Sequence, residues 1–355
     1  MNWQGIEIVC PHCRGDLRLA GEERGDTPGQ LACAACQREF PVVCGIPDLR
    51  VFPDPYIMPE EEYAKARHLV SRYGNFDFAG LVEYYYSISP LVPLQHAKKY
   101  ARGLLAASAR TELWLEGWEQ AAKEILTNQS SDPRDADHFA HATDRWFLDL
   151  GCGTAPLLIA AKNYPRRAGV DLALRWLVMA RKRLMEAGLD LPLICACAEA
   201  LPFRDGAFFT VAADSVVEHL RDQPRAMAEV HRVVQSGGRF FLATPNRFSI
   251  GPDPQTGIWG GSLLPLSWTQ AIVHRQGGLP PQRRLLSAGW LRRLLREAGF
   301  RDVRVFLPGV PADRGHFPLA IRAAMLAYDA ASRMPVARQL LHLVGPIFHA
   351  VARKP

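Results

Sequence analysis

The stretch WFLDLGCGT, residues 146–154, places a short apolar run directly before a glycine-rich turn. A buried strand has this length and this apolar character, and a helix is predicted to follow the turn through Lys162. The glycines at 151 and 153 let the backbone pass close to a ligand, because glycine has no Cβ atom to clash with it. This segment therefore predicts a strand, a ligand-binding turn and a helix.

Strand and helix patterns alternate through the next hundred residues or so. Strands are predicted at residues 168–171, 193–196, 208–213 and 239–244, and the main helices at 173–187 and 223–234. Strands separated by helices form a parallel sheet with right-handed crossovers, which binds ligands beyond the carboxyl ends of its strands. The predicted fold class is α/β, a Rossmann-like sheet with helices on both faces.

Two carboxylates beside the glycine turn indicate the kind of ligand. Asp171 ends the second strand, 20 residues after Gly151, where a carboxylate can accept hydrogen bonds from both ribose hydroxyls. Asp149 would repel a pyrophosphate but attract the amino group and sulfonium of S-adenosylmethionine. Pro156 stands where a dinucleotide-binding turn carries its third glycine. These features favour S-adenosylmethionine over a nicotinamide dinucleotide.

These segments resemble the class I S-adenosylmethionine-dependent methyltransferases, especially the ubiquinone and menaquinone biosynthesis branch. The resemblance rests on residues 148–154, 169–171, 198–203, 217–220 and 237–239, in that order. It implies that Asp149 and the glycine loop hold the methionine part of the cofactor, and that Asp171 holds the ribose. The predicted cofactor-binding residues are Asp149, Gly151, Cys152, Gly153, Asp171, Leu172, Cys197, Ala198, Glu199 and Asp214.

Two positions depart from the family pattern. Cys197 stands where an aspartate usually reaches the adenine amino group, so we expect that contact from the backbone or from Glu199. Phe209 replaces an aspartate that usually follows the phenylalanine of the fourth strand. Both changes concern adenine recognition and leave the methionine and ribose contacts in place.

The N-terminal region carries two CxxC pairs, Cys10/Cys13 and Cys33/Cys36, with 19 residues between them. Zinc takes four tetrahedral ligands, and each pair offers two thiolates. Together with the segment that ends at Leu49, these pairs resemble a Trm112-like zinc ribbon. We expect a closed, structural zinc site formed by the four paired cysteines, with Cys44 as a small buried residue.

Glu218 and His219 follow the fourth strand, where the methyl group would lie. Methyl transfer from a sulfonium needs alignment, and it needs a base only if the nucleophile must lose a proton. His219 is the better candidate base on sequence alone, with packing or capping as its alternative role. Ser215 replaces the first glutamate of the Glu-x-x-Glu-His metal motif in some related quinone methyltransferases, so no catalytic metal is predicted.

Three domains are predicted: the zinc ribbon at residues 1–50, a helical lid or substrate region at 51–145, and the methyltransferase domain at 146–355. The last contains an inserted loop at 246–287 and a helical insertion at about 308–345. Tyrosines 84–86 are candidates for packing first and for an acceptor wall second. Trp259 and Trp268 are candidate acceptor contacts, with packing as an alternative role of at least equal weight. The arginines of the helical insertion, Arg322, Arg333 and Arg338, could face a lipid surface or shape the acceptor pocket.

Composition bounds the partners and the compartment. The net charge of +6 permits an anionic partner without requiring one. No apolar run reaches the roughly 18 residues of a membrane span, and the N-terminus has no signal-peptide pattern. Two of the cysteine features, the tight pairs and the buried-strand positions, suit a reducing compartment. We therefore expect a cytoplasmic location.

Three functional hypotheses follow. The first is an enzyme that methylates a small organic acceptor such as a quinone, a polyketide or another metabolite. The second is an RNA methyltransferase whose ribbon places the substrate, and the third is a non-catalytic cofactor-binding scaffold, which the intact cofactor motif disfavours. Nucleic acid is not expected as a partner, because acids match the ribbon's arginines and because Arg292, Arg293 and Arg296 fall on one solvated helix face. A protein partner of the ribbon and peripheral membrane contact both stay open.

Overall fold

The structure is a computed structural model that describes residues 1–25, 27–89, 94–127, 145–251, 253, 258–275, 280–310 and 319–355. The polar stretch at residues 128–133, expected as a loop, lies outside these ranges. The strands are β1 (Asn2–Trp3), β2 (Ile6–Glu7), β3 (Leu17–Gly21), β4 (Gly29–Cys33), β5 (Glu39–Val43), β6 (Ile46–Pro47), β7 (Trp146–Leu150), β8 (Arg166–Asp171), β9 (Leu193–Cys195), β10 (Phe208–Asp214), β11 (Val234–Pro245), β12 (Arg301–Phe306) and β13 (Ile347–Arg353).

Helices surround the strands of the second half of the chain. They are α1 (Pro59–Val70), α2 (Phe78–Ser87), α3 (Leu94–Leu105), α4 (Ala107–Thr127), α5 (Pro156–Ala160), α6 (Leu174–Glu186), α7 (Gln223–Val233), α8 (Leu266–Arg275), α9 (Ala288–Glu297), α10 (Leu319–Arg333) and α11 (Pro335–Val344). Two short 3-10 helices, Ala198–Ala200 and Val217–His219, follow β9 and β10.

A seven-stranded sheet has the order β12-β13-β11-β10-β7-β8-β9. Only β13 runs antiparallel to its neighbours, and the other strands of this sheet share one direction. The α/β class and the Rossmann-like methyltransferase sheet are therefore confirmed. The last strand, β13, pairs with β12 across the insertion of α10 and α11.

The fifth strand of the alternating region begins earlier than its glycines suggested. β11 starts at Val234, which pairs with Phe208 before the register shifts. Gly237 and Gly238 lie inside this irregular part of the strand, and a Cβ atom at Gly238 would come within 2.7 Å of the Phe209 carbonyl. The glycines therefore serve a β-bulge and a close backbone approach.

Alternate residues of the strands face opposite layers of helices. On one face, Leu242 and Phe240 belong to a buried cluster that includes residues of α7 and α9. On the other face, Phe147 and Phe241 belong to a second cluster that includes residues of α4, α5 and α6. Trp118 of α4 also donates a hydrogen bond of 3.2 Å to the Leu242 carbonyl. The sheet thus forms the middle of three layers.

The cysteine-rich region forms its own sheet, β3-β4-β5-β6, beside the β1-β2 pair. It docks on the edge of the large sheet, where the Leu49 amide donates to the Cys195 carbonyl of β9 at 2.7 Å. The Val9 amide donates to the Pro202 carbonyl at 2.9 Å. Leu31 and Phe40 of this region share a buried cluster with the large sheet. The cysteine-rich region therefore docks on the rest of the chain.

Candidate functional site

The glycine turn after β7 is built to approach a ligand closely. Gly151 and Gly153 have φ angles of +73° and +50°, which favour glycine. A Cβ atom at Gly151 would overlap the side chain of Val216. A Cβ atom at Gly153 would meet no atom within 4 Å. The first glycine is therefore required by packing within the protein, while the second faces open space.

Three carboxylates lie at the carboxyl ends of neighbouring strands, on the sheet face that α4 to α6 cover. Asp171 accepts hydrogen bonds from the Gly153 amide at 2.9 Å and from the Ala173 amide at 2.8 Å. Asp149 is only 2% exposed, and its Oδ2 atom has no hydrogen-bond partner among the described residues. Burial raises the pKa of Asp149 well above its usual range, and the charges of Asp214 and Asp171 raise it further. The site therefore favours a ligand that carries positive charge.

S-adenosylmethionine fits this arrangement. A buried carboxylate oxygen without a donor costs free energy that a bound ammonium group would offset. Asp149 stands at the turn where the methionine half is predicted. Asp171 holds the turn through backbone amides, and a carboxylate has further lone pairs for ribose hydroxyls. Cys152, predicted in the same turn, is buried between the two glycines.

The linker that follows the cysteine-rich region borders the predicted adenine side of the site at Phe52. Buried Cys197 donates from Sγ to the Phe52 carbonyl at 3.5 Å. Ala198 begins the 3-10 helix that follows. Buried Glu199 accepts hydrogen bonds from the amides of Arg221 and Asp222 at 2.8 and 3.2 Å. Glu199 therefore anchors the segment after β10, and the linker at Phe52 is a neighbour of this site that sequence reasoning missed.

A buried network of charged side chains contacts Leu172, the residue that follows Asp171. Arg50 donates to Asp48 at 2.5 Å, to Glu62 at 2.6 Å and to the Leu172 carbonyl at 3.1 Å. Arg175 of α6 donates to Glu62 and to Asp54 at 2.7 and 2.8 Å. The end of the cysteine-rich region is thus tied through Arg50 to Leu172, a predicted cofactor-binding residue. Sequence reasoning missed this network, since its members lie far apart in the chain.

Glu218 and His219 occupy the short 3-10 helix after β10 and differ in their surroundings. Glu218 is buried and accepts a hydrogen bond of 2.9 Å from the Thr244 hydroxyl at the end of β11. Burial raises the pKa of Glu218 to about 7. The His219 side chain is 39% exposed, and its Nε2 atom lies 3.9 Å from Glu218 Oε1. Burial lowers the pKa of His219. Glu218 is thus a buried carboxylate with a near-neutral pKa, and His219, the base that the sequence favours, is its partly exposed neighbour.

Helix α4 presents Arg110, Trp114 and Trp118 toward the carboxyl ends of the strands. Arg110 lies 3.2 Å from Asp214. The ring centroids of Trp114 and Trp118 lie 4.7 and 5.1 Å from that of His349. His349 is 1% exposed, neither ring nitrogen has a partner among the described residues, and burial lowers its pKa to about 3. Sequence reasoning missed this group, although the four-residue spacing on α4 is the signal that could have found it.

The aromatic candidates divide into buried and exposed groups. Tyr85 and Tyr86 are buried in the cluster between α2 and α6, as packing predicts. Tyr84 is partly buried, and its hydroxyl oxygen lies 2.6 Å from His68 Nε2. Trp259 and Trp268 are 77% and 63% exposed. The two tryptophans therefore do not line a buried pocket.

The four paired cysteines converge. The sulfur atoms of Cys10, Cys13, Cys33 and Cys36 all lie within 4.8 Å of one another. Each pair ends in a matching turn, in which the residue after the second cysteine has a φ angle of +61° (Arg14) or +59° (Gln37). A Cβ atom at Gly15 would lie 3.2 Å from two of these sulfurs. The arrangement could hold one tetrahedral metal ion, and Cys44 lies outside it.

Two arginines of the basic segment at residues 283–296 form ion pairs within the protein, which reduces the unpaired positive charge there. Arg283 is buried and bonded to Asp253 at 2.5 Å. Arg293 of α9 lies 2.7 Å from Glu297.

Comparison with known proteins agrees with the fold and the cofactor turn. The methyltransferase domain family matches residues 148–242. A demethylmenaquinone methyltransferase of Thermus thermophilus is 33% identical over 135 residues, which cover 37% of this chain and 58% of that protein. The chain thus spans little more than half of that relative's length. A ubiquinone biosynthesis O-methyltransferase of Burkholderia pseudomallei is 30% identical over 192 residues, covering 53% of this chain and 76% of that protein.

Among solved structures, Haemonchus contortus phosphoethanolamine N-methyltransferase 2 in complex with S-adenosyl-L-methionine aligns with a TM-score of 0.40 and 17% identity. The alignment covers 61% of this chain and 50% of that chain. The Burkholderia relative, of whose length the chain covers 76%, establishes the assignment. The chain belongs to the class I S-adenosylmethionine-dependent methyltransferases.

Proposed function

We propose that this protein transfers a methyl group from S-adenosylmethionine to a small organic acceptor of the quinone, polyketide or similar metabolite type. The observation that carries the proposal is the buried, unpartnered Oδ2 atom of Asp149 beside an open glycine turn. When bound, the cofactor supplies an electrophilic methyl group on a positively charged sulfur. The role of the protein's residues is to hold the two reactants in line and to exclude water.

Asp149, Gly151, Cys152 and Gly153 are proposed to hold the methionine half, and Asp171 and Leu172 the ribose. Cys197, Ala198 and Glu199 are proposed for the adenine side, and Asp214 for the side nearest α4. The coincidence of three carboxylates at one edge of the sheet supports this assignment, since an anionic edge attracts the cofactor's charge.

Glu218 is proposed as the base that accepts the acceptor's proton, with His219 as its neighbour at the mouth. A pKa of about 7 lets a carboxylate gain and lose a proton near neutral pH. The Thr244 hydroxyl orients this carboxylate. A hydroxyl-bearing acceptor would use the base, because a phenol or hydroquinone must lose a proton during methylation.

The acceptor class draws support from the relatives and from α4. The relatives' names refer to menaquinone and ubiquinone biosynthesis. Asp214 of β10 pairs with Ala243 of β11, which in turn pairs with His349 of β13. Trp114 and buried His349 therefore lie on the same face of the sheet as Asp214. Flat aromatic walls of this kind suit a flat, largely apolar acceptor.

The four clustered cysteines are proposed to hold one structural zinc ion. Four thiolates close the coordination sphere, so this ion would stabilise the ribbon and take no part in the reaction. Thiolate ligands suit a reducing compartment such as the cytoplasm. A protein partner on the ribbon's outer surface remains compatible with its docking on β9.

Purified protein incubated with methyl-labelled S-adenosylmethionine and a panel of hydroquinones and catechols tests the proposal. We expect label in at least one acceptor. Glu218→Gln should lower the rate at least about a hundredfold without weakening cofactor binding, because it removes a general base. Glu297→Gln, an exposed glutamate of α9, is the matched control and should keep full activity. Cofactor binding without transfer to any acceptor of the panel, or to any metabolite of a cell extract, would favour the scaffold hypothesis.

A further inference from the structure

Large apolar side chains on the surface are concentrated in two segments. Of the eighteen exposed large hydrophobic residues among the described part of the chain, twelve lie in residues 246–275 or in α10, α11 and the turn between them. The loop after β11 and the first turn of α8 carry Phe248, Ile250, Trp259, Leu263, Leu266 and Trp268. Exposed apolar patches of this kind mark a surface that meets another molecule or a membrane.

Helix α11 contributes a continuous apolar stripe. Val336, Leu340 and Leu343 follow at spacings of four and three residues, so they share one face of the helix. They are 73%, 59% and 56% exposed, and α11 has no buried residue. Leu319 and Leu326 of α10 are also exposed. This helix pair therefore turns apolar faces to the outside.

The loop after β11 and the end of α11 are joined by hydrogen bonds. Asn246 donates from Nδ2 to the carbonyls of Leu343 and Gly345, both at 2.8 Å. The junction lies beside the candidate site, because Asn246 follows directly after β11, whose Thr244 bonds Glu218. The loop after β11 and the end of α11 thus meet at Asn246, close to the rim of the site.

Charge beside the apolar residues of α10 favours one kind of partner. Arg322 and Arg333 lie within about 60° of Leu319 and Leu326 around the helix, and the one acid among the described residues of α10, Asp329, lies 2.9 Å from Arg333. Arg338 lies on the face of α11 opposite its apolar stripe. A second copy docked on the same patch would bring these arginines together across a two-fold axis. Anionic lipid headgroups instead complement them, and exposed tryptophans prefer the interface between headgroups and acyl chains.

We propose that α10, α11 and the exposed side chains of the loop after β11 form a surface that docks on an anionic lipid bilayer. Among the described residues no helix is long and apolar enough to span a membrane, so the helices would lie in the plane of the interface. An acceptor with an apolar tail would then reach the site from the bilayer. That last clause rests on the proposed function, whereas the docking itself does not.

Sedimentation with vesicles of equal parts phosphatidylglycerol and phosphatidylethanolamine tests the docking, with phosphatidylcholine vesicles for comparison. We expect the protein to bind the anionic vesicles more tightly and to release them as salt rises. The triple variant V336E/L340E/L343E should bind at least about tenfold more weakly, because three apolar contacts are lost and three like charges gained.

The control variant L19E/M185E replaces two residues that are 52% and 58% exposed on other parts of the surface. It should bind vesicles like the unaltered protein, and both variants should keep their circular dichroism spectra. Equal binding by the triple variant, or no binding to either vesicle by the unaltered protein, would overturn the proposal. A dimer that only the triple variant dissociates, without vesicle binding, would also overturn it in favour of a second copy. The vesicle assay contains neither cofactor nor acceptor. A failure of lipid docking can therefore be distinguished from a failure of methyl transfer.

Discussion

The ribbon and the methyltransferase sheet bury apolar side chains in different ways. The large sheet is covered on both faces by helices and contributes to two extensive clusters. The ribbon has short strands, and its buried residues, such as Leu31 and Phe40, join one of those clusters instead of forming a separate one. A chain segment of about fifty residues cannot bury enough surface alone. We therefore expect the stability of the ribbon to depend on the proposed zinc ion and on the sheet, and the stability of the sheet not to depend on zinc.

Loss of the proposed zinc ion should have the largest effect on stability. It should unfold the ribbon and leave the large sheet folded. Cys33→Ser removes one of the four ligands, and apparent zinc binding in small domains is worth roughly 10 kcal/mol or more. We expect one zinc per chain in the unaltered protein, none in the variant, and proteolysis confined to the ribbon. Elemental analysis and mass spectrometry of the fragments measure both.

Cys44→Ser is the matched control and should keep its zinc, because Cys44 lies outside the cluster. Protein purified without chelator and free of metal would contradict the site. Unfolding of the sheet together with the ribbon would contradict the independence of the sheet.

Within the sheet region, Glu218 should make stability depend on pH. Its pKa rises from 4.5 to about 7 on folding, so the folded state binds more protons than the unfolded state between these values. Stability from this group is therefore present below about pH 4.5 and is lost as the pH rises toward 7. At about 1.4 kcal/mol per pKa unit, the loss is about 3 kcal/mol.

Glu218→Gln removes this titration. We expect the variant to gain stability relative to the unaltered protein between pH 5 and pH 8, measured by urea unfolding. A stability difference that does not change with pH would show that Glu218 stays ionised in the folded protein.

Asp171 tests the cofactor side of the sheet. Asp171→Ala should weaken binding of S-adenosylmethionine by about 1.5–3 kcal/mol, because the ribose hydroxyls lose a charged acceptor. The Gly153 and Ala173 amides lose their acceptor as well. Calorimetric titration measures the change, and unaltered affinity would mean that the ribose lies elsewhere.

Substitution of Arg50 tests whether the ribbon influences cofactor binding by the sheet, and it should have the smallest effect of the four. Arg50→Lys cannot keep the contacts to Asp48, Glu62 and the Leu172 carbonyl at once. We expect the cofactor dissociation constant to rise about threefold to tenfold, because Leu172 adjoins Asp171, the proposed ribose ligand.

Arg14→Lys is its control, since Arg14 links the ribbon to Glu229 through an exposed contact of 3.3 Å. It should leave affinity unaltered. Equal effects of the two substitutions would show that the ribbon does not act through Leu172.

The sequence predicted the parts of the molecule that local pattern determines. The alternation of strands and helices, the glycine turn and the four cysteines are periodic or closely spaced features, and the structure brings each set together. The choice between His219 and Glu218 as base depends on burial by β11 and the segment after it, which cannot be read locally. The Arg50 network and His349 were missed for the same reason, since their neighbours are distant in the chain.

Calorimetric titration of the purified protein with S-adenosylmethionine tests the central claim most directly, namely that the turn at Gly151 and Gly153 with Asp149 binds this cofactor. We predict saturable binding of one molecule per chain, and its loss in Asp149→Ala, whose carboxylate would no longer meet the cofactor's positive charge. The absence of any heat at millimolar concentrations of the cofactor and of its demethylated product would contradict the account.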